Sequence, residues 1–290
     1  LSEPQPSADL SLQRRLDIIL KRLDTRPRQR LGQNFMTDRA ALEFIRSAAA
    51  SIPSKAVLEI GPGTGFLTER LVELGLPLTA VDADRRFCAA LTERFAPEPR
   101  VRIIESDILR WEPRGVLEPG TLAIGNIPYN ITSPILEWLL QRRELWSGVI
   151  LTVQKEFADR LAAPAGTREC GPISVWTQLH AEVRVLRVIG RGAFSPPPKV
   201  ESSVVRVDFF KEPRYAPGTG PALEKVMRSA FQMRRKQINH AVKGLAGAPS
   251  ARAVFEEAGV SPERRPETLS LDQWIALGRA LSVRAKTPSA

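Results

Sequence analysis

The chain has few of the residues from which metal and redox sites are made: two cysteines, Cys88 and Cys170, and two histidines, His180 and His240, in 290 residues. Neither pair has metal-ligand spacing, so no zinc site is expected. The cysteines read as small core or semi-exposed thiols, which fits a reducing compartment and not a disulfide framework. No apolar run is long enough to span a bilayer, and no lipidation signal is present. Residues 1–24 lack the apolar centre of a secretory leader, and Glu3, Asp9, Asp17 and Asp24 set them apart from an acid-poor transit peptide. The cytoplasm is the expected compartment. No internal repeat is evident.

Positive charge is what the chain has in excess. Lys and Arg number 42 against 32 Asp and Glu, a formal net charge of +10 and a pI near 10.2. Such a balance favours a polyanionic partner, held through phosphate contacts and counterion release. The length suits one large domain, or a large one with a small one, and a hydrophobic content of 43% is ample for a core.

Residues 1–9 have few apolar groups and are expected to be disordered. Leu12, Leu16, Ile19, Leu20 and Leu23 then fall at helical spacing, which predicts a short amphipathic helix docked on the main domain. In RPRQRLGQNFMTD (26–38), Arg26, Arg28 and Arg30 are candidates for phosphate contact or a solvated basic loop. Gln33, Asn34 and Phe35 set amides beside an aromatic, a composition suited to covering a nucleotide-like ligand, and Asp38 is placed to cap the next helix.

Four apolar runs follow, each ending in a polar group. Ala56 to Ile60 carries Glu59 and runs into Gly61, Gly63 and Gly65, where glycine lets backbone approach a ligand closely. Leu78 to Val81 ends in Asp82, about 20 residues after the glycines, where a carboxylate can accept from ribose hydroxyls. Val101 to Ile104 leads to Asp107 and Ile108, and Leu122 to Ile124 leads to GNIPYN (125–130). Successive strands thus bring Glu59, Asp82, Asp107 and Asn126 to one carboxyl edge, where open α/β sheets bind ligands. Within GNIPYN, Asn126 offers an amide, Pro128 stiffens the turn and Tyr129 presents a ring on which a base can stack.

LGQNFMTD, LEIGPGTGFLT, VDAD, SDIL, GNIPYNITSPIL, VQKEFADRL, FSPPPKVESSVVR and FQMRRKQI, in that order between residues 28 and 240, closely resemble the ribosomal RNA adenine dimethyltransferase family. Two points depart from its pattern: the ribose-binding acid is usually glutamate and here is Asp82, and residues 1–25 precede the usual start. The resemblance implies an α/β fold, a class I (Rossmann-like) methyltransferase sheet followed by a small all-helical domain. The expected division is an extension (1–25), a catalytic domain (26–210) and a helical RNA-contacting domain (211–290). It implies S-adenosyl-L-methionine as cofactor, held by Gln33, Asn34, Phe35, Glu59, Gly61, Gly63, Gly65, Asp82, Asp107, Ile108 and Asn126. The target adenine would be captured by Asn126, Ile127, Pro128 and Tyr129, with Phe194 held out from its proline-rich loop to stack opposite Tyr129.

Lys199 and the residues Arg28, Arg30, Arg228, Arg234, Arg235 and Lys236 are the candidate RNA contacts, the last four on a basic helix expected over Ala222 to Leu245. The implied partner is the small ribosomal subunit with its 16S rRNA, acted on by a monomer away from any membrane. A large-subunit rRNA methyltransferase and an RNA-binding assembly factor are the alternatives. DNA adenine methyltransferases usually carry Asn/Asp-Pro-Pro-Tyr, and Ile127 stands where the first of those prolines would be.

Overall fold

The computed structural model describes residues 10–27, 33–233 and 235–285. The chain divides into two compact units, one from residues up to Ala158 with Arg184–Phe209, the other from Asp159–Val183 with the chain from Phe210 on. The N-terminal amphipathic run forms α1 (Leu12–Arg22), capped by Ser11, whose hydroxyl accepts from the Arg14 N–H. Its Leu12 and Leu16 are buried in the core of the first unit, so the helix is a structural part of that unit.

After it come β1 (Phe35–Met36), α2 (Arg39–Ala50), β2 (Ala56–Ile60), α3 (Phe66–Val72), β3 (Leu78–Asp82), α4 (Arg85–Arg94), β4 (Val101–Glu105), β5 (Thr121–Asn126), α5 (Thr132–Leu140) and β6 (Trp146–Gln154). Beyond them lie α6 (Lys155–Ala162), α7 (Pro172–Gln178), β7 (Ala181–Ile189), β8 (Phe194–Ser195) and β9 (Ser202–Phe209). Seven strands form one sheet in the order β4-β3-β2-β5-β6-β9-β7. β4, β3, β2, β5 and β6 are parallel, and β9 runs antiparallel to β6. Apolar runs in the central strands β2 and β5 are buried on both faces, as helix-covered strands require: Val57, Leu58, Leu122, Ala123 and Ile124 have no exposed surface. A separate two-stranded ribbon pairs β1 with β8, Met36 opposite Phe194.

The second unit is helical: α7 with α8 (Gly220–Gln232), α9 (Ile238–Ala246), α10 (Ala248–Ala258) and α11 (Leu271–Ala285). Trp274, Leu223, Val226, Ile238, Val254 and Leu277 centre its core. The segment Asp159–Val183, expected within the catalytic domain, belongs here instead, because Cys170, Val175 and Leu179 are buried in this core. The single basic helix expected over Ala222 to Leu245 is two helices. α8 stops at Met233, and Gln237, in extended conformation, caps the start of α9. A Ser270–Gln273 capping box opens α11: the Gln273 N–H donates to Ser270 Oγ, and the Ser270 N–H to Gln273 Oε1.

Candidate active site

The carboxyl ends of β2, β3, β4 and β5 open onto a cavity of about 600 Å³ within the first unit, a size typical of small-molecule sites. Because β2 lies between β3 and β5, the groups stand along the edge in the spatial order Asp107, Asp82, Glu59, Asn126. Gln33, Asn34, Phe35, Gly61, Gly63, Ile108, Ile127, Pro128 and Tyr129 also line the cavity, and so do Thr64, Ser106 and Asn130, which sequence reasoning passed over. These three carry no pattern of their own; each is simply a neighbour of a motif residue.

The glycines divide the work. Gly61, Gly63 and Gly65 all have positive φ, and the Gly63 N–H donates to Asp82 Oδ2 at 3.0 Å. A Cβ on Gly63 would lie 3.1 Å from the Phe35 ring. Gly65 does not line the cavity. It caps α3, and a Cβ there would come within 2.5 Å of Leu91 Cδ2 on α4, so its place is set by helix packing. Gly125 is needed for another reason: it lies within β5 opposite Ile60, where a Cβ would meet the Ile60 carbonyl oxygen at 2.9 Å.

Three carboxyls give the cavity its character. Glu59 is buried, its Oε2 has no hydrogen-bond partner among the described residues, and burial pushes its pKa up to about 8, with Thr68 opposing and Asp82 adding to the shift. Asp82 is also raised, by burial first, although the Asp84 and Gly63 N–H groups stabilise its anion. Its Oδ1 accepts from the Asp84 N–H at 2.8 Å. Asp107 is exposed, and its Oδ1 accepts from the Leu109 N–H at 3.0 Å. Asp84, beside them, caps α4 and pairs with Arg86 at 2.9 Å. Cys88 lies nearby but is no nucleophile: burial pushes its thiol up to about 12, so the reactive thiolate is scarce at neutral pH. Among the described residues, no three His, Cys, Asp or Glu are grouped to hold a metal ion, and no helix is long and apolar enough to cross a membrane.

Asn126 ends β5, and its Nδ2 donates to the Asn34 carbonyl at 3.1 Å. With the amide nitrogen so engaged, Oδ1 is the end left to accept. Beyond it, Pro128 leads into a short 3-10 turn, Tyr129–Ile131. Tyr129 is half-buried, and burial raises its phenol. Phe194 is not held out. It is 3% exposed, packed with Phe35 and Met36 in the core of the first unit, and does not line the cavity. Pairing of β8 with β1 turns its ring inward, where an aromatic gains most from burial.

Of the candidate RNA contacts, Lys199, Arg235 and Lys236 are exposed. Arg228 is exposed too, and engaged with Glu224 at 2.9 Å along α8. Arg28, Arg30 and Arg234 lie outside the described residues.

The family profile for ribosomal RNA adenine dimethylase matches residues 25–281. The chain is 40% identical to the ribosomal RNA small subunit methyltransferase A of Geobacter metallireducens, over 88% of this chain and 96% of that one. It is 36% identical to the protein of the same name from Pseudomonas aeruginosa, over 89% and 95%. Among solved structures it is similar to the 23S rRNA methyltransferase ErmE, with a TM-score of 0.67 and 27% identity over 86% of this chain and 99% of that one. It also shares its fold with a dimethyladenosine transferase from Plasmodium falciparum, with a TM-score of 0.70 and 24% identity over 84% and 95%. The chain belongs to the ribosomal RNA adenine dimethylase family.

Proposed function

We propose that this chain transfers methyl groups from S-adenosyl-L-methionine to N6 of two adjacent adenines near the 3′ end of small-subunit rRNA. The product would be N6,N6-dimethyladenosine, formed during maturation of the small subunit, by a monomer in the cytoplasm. The observation that carries the reading is Asn126. A buried strand delivers its amide to the mouth of an acidic cavity, the Asn34 carbonyl engages its nitrogen, and Tyr129 follows three residues on.

The residues present fit the cofactor. The unpartnered oxygen of buried Glu59 and the carboxylates of Asp82 and Asp107 suit a cationic nucleoside with hydroxyl and amine donors. Gly61 and Gly63, both at positive φ, present bare backbone at the cavity wall. Gln33, Asn34, Phe35, Glu59, Gly61, Gly63, Asp82, Asp107 and Ile108 would hold it. When bound, it supplies an electrophilic methyl group on a sulfonium.

An adenine N6 amine is a weak nucleophile because its lone pair is delocalised into the ring. Asn126 Oδ1 and the Ile127 carbonyl would accept its two hydrogens, favouring rehybridisation and stabilising the positive charge that grows on nitrogen. Tyr129 would stack on the base once it has left the RNA stack. Arg235, Lys236 and Lys199 would meet phosphates.

Methyl transfer from labelled cofactor to undermethylated small and large subunits, with mass mapping, tests the reading. Dimethyladenosine at adjacent adenines of the small subunit is the expected outcome. The likeness to ErmE supports a second reading, a large-subunit methyltransferase, for which label would appear in the large subunit alone. The name and 40% identity of the Geobacter relative favour the first.

A further inference from the structure

Tyr129 is fixed at both ends. Its backbone carbonyl accepts from Thr132 Oγ1 at 3.1 Å, and its phenol oxygen lies 2.6 Å from Ser202 Oγ. Ser202 is fully buried and opens β9 opposite Gln154, the last residue of β6. Because β9 is antiparallel to β6, its first residue comes to the edge where the parallel strands end, and where Asn126 closes β5 opposite Thr152 of β6. Ser203, equally buried, has no hydrogen-bond partner among the described residues. Of these two adjacent buried hydroxyls, which a strand directs to opposite faces, Ser202 is the one that meets the tyrosine.

We propose that Ser202 is the positioning residue for the Tyr129 ring, an inference that rests on the reading of Tyr129 as the surface that captures the base. A tyrosine anchored only through its Cβ can swing about χ1 and turn about χ2. A hydrogen bond at the far end of the ring, to a buried partner on a sheet strand, sets the plane before the base arrives. A surface fixed in advance holds the reacting amine within the narrow range that transfer needs. The proposal also gives a function to the part of FSPPPKVESSVVR that the burial of Phe194 leaves unexplained. Pro196, Pro197 and Pro198 fix φ along the segment leading into β9, whose first residue is Ser202.

The test measures single-residue variants of the full chain in methyl transfer to undermethylated small subunits. Ser202→Ala and Tyr129→Phe should each lower kcat roughly three- to tenfold, the effect of losing one hydrogen bond of ordinary net strength. Cofactor and RNA dissociation constants should be unchanged, and the double variant should be no slower than the slower single one. Ser203→Ala should retain the wild-type rate. Tyr129→Phe tests the bond from the half-buried side and leaves β9 untouched, so a folding defect in Ser202→Ala does not decide the matter. A wild-type kcat in Ser202→Ala or in Tyr129→Phe, or losses that multiply in the double variant, would overturn the proposal. Tyr129→Ala separates it from the reading beneath. If that variant turns over normally, base capture by Tyr129 falls; if it is inactive while the two conservative variants are normal, only the positioning role of Ser202 falls.

Discussion

Glu59 keeps a proton in the folded protein up to about pH 8, while the unfolded chain releases it in the ordinary carboxylate range. The folded pKa is the higher of the two. Stability linked to this group is therefore complete below the unfolded pKa and is lost as pH rises through about 8. Glu59→Gln should melt at a higher temperature than the wild type at pH 8.5, by the equivalent of about 1–3 kcal/mol, and the two curves should converge at pH 5. Thermal denaturation at the two pH values reads this directly. The same proton bears on the cofactor, since a neutral carboxyl must ionise before it can pair with a cation. Cofactor binding should release a proton near pH 7, seen by calorimetry as a heat that depends on the ionisation enthalpy of the buffer. At Asn126 the expectation concerns rate alone: Asn126→Ala should lower kcat on the order of a hundredfold or more with RNA binding retained, as loss of a preorganised polar group does elsewhere. Single-turnover rates and filter binding on the same preparation separate the two effects.

Three elements meet in one ionic cluster. Arg15 on α1 and Arg94 on α4 both pair with Glu69 on α3, and Arg94 also donates to the Thr64 carbonyl of the glycine loop at 3.1 Å. The Arg15 guanidinium lies 5.1 Å from the centre of the Phe66 ring, and both arginine side chains are mostly buried. Glu69→Gln would leave two buried guanidinium groups facing each other without an anion. The loss should be about 3–5 kcal/mol, read from urea denaturation, and larger than that for Arg15→Met, which leaves Glu69 with Arg94. At this scale the sequence is legible where periodicity and caps agree. Leu12 and Leu16 announce α1, Asp38 caps α2, and apolar runs ending in acids mark the strands that build the cavity. Other elements escape it for identifiable reasons. α7 begins with Pro172, which reads as a breaker but is well suited to the first turn, where its missing N–H is not needed. The interruption between α8 and α9 includes Arg235, Lys236 and Gln237, residues that favour a helix, so only packing of the helices in the second core reveals it. By sequence Phe194 reads as a stacking platform, because its proline-rich loop gives no sign of the register with β1 that places it in the core.

For the whole molecule, the net charge of +10 predicts binding to rRNA that weakens steeply as salt rises. Arg235 and Lys236 are exposed in the turn between α8 and α9. Replacing both by alanine should reduce the slope of log K against log salt by about 1–2, with the rate at saturating RNA unchanged, as a filter-binding titration would show. Chain order adds a constraint of another kind. The polypeptide crosses between its two units three times, after Ala158, Val183 and Phe209. During synthesis Cys170, Val175 and Leu179 emerge well before Leu223, Val254 and Trp274, the residues that enclose them. The first unit has all its residues once Phe209 is made, whereas α7 must wait, its apolar face uncovered, until the last helices are translated. A gene cut after residue 210 would strand that helix, and one beginning at 211 would leave the helical core without it. The two units are separate in architecture, but neither is encoded by one uninterrupted stretch of message.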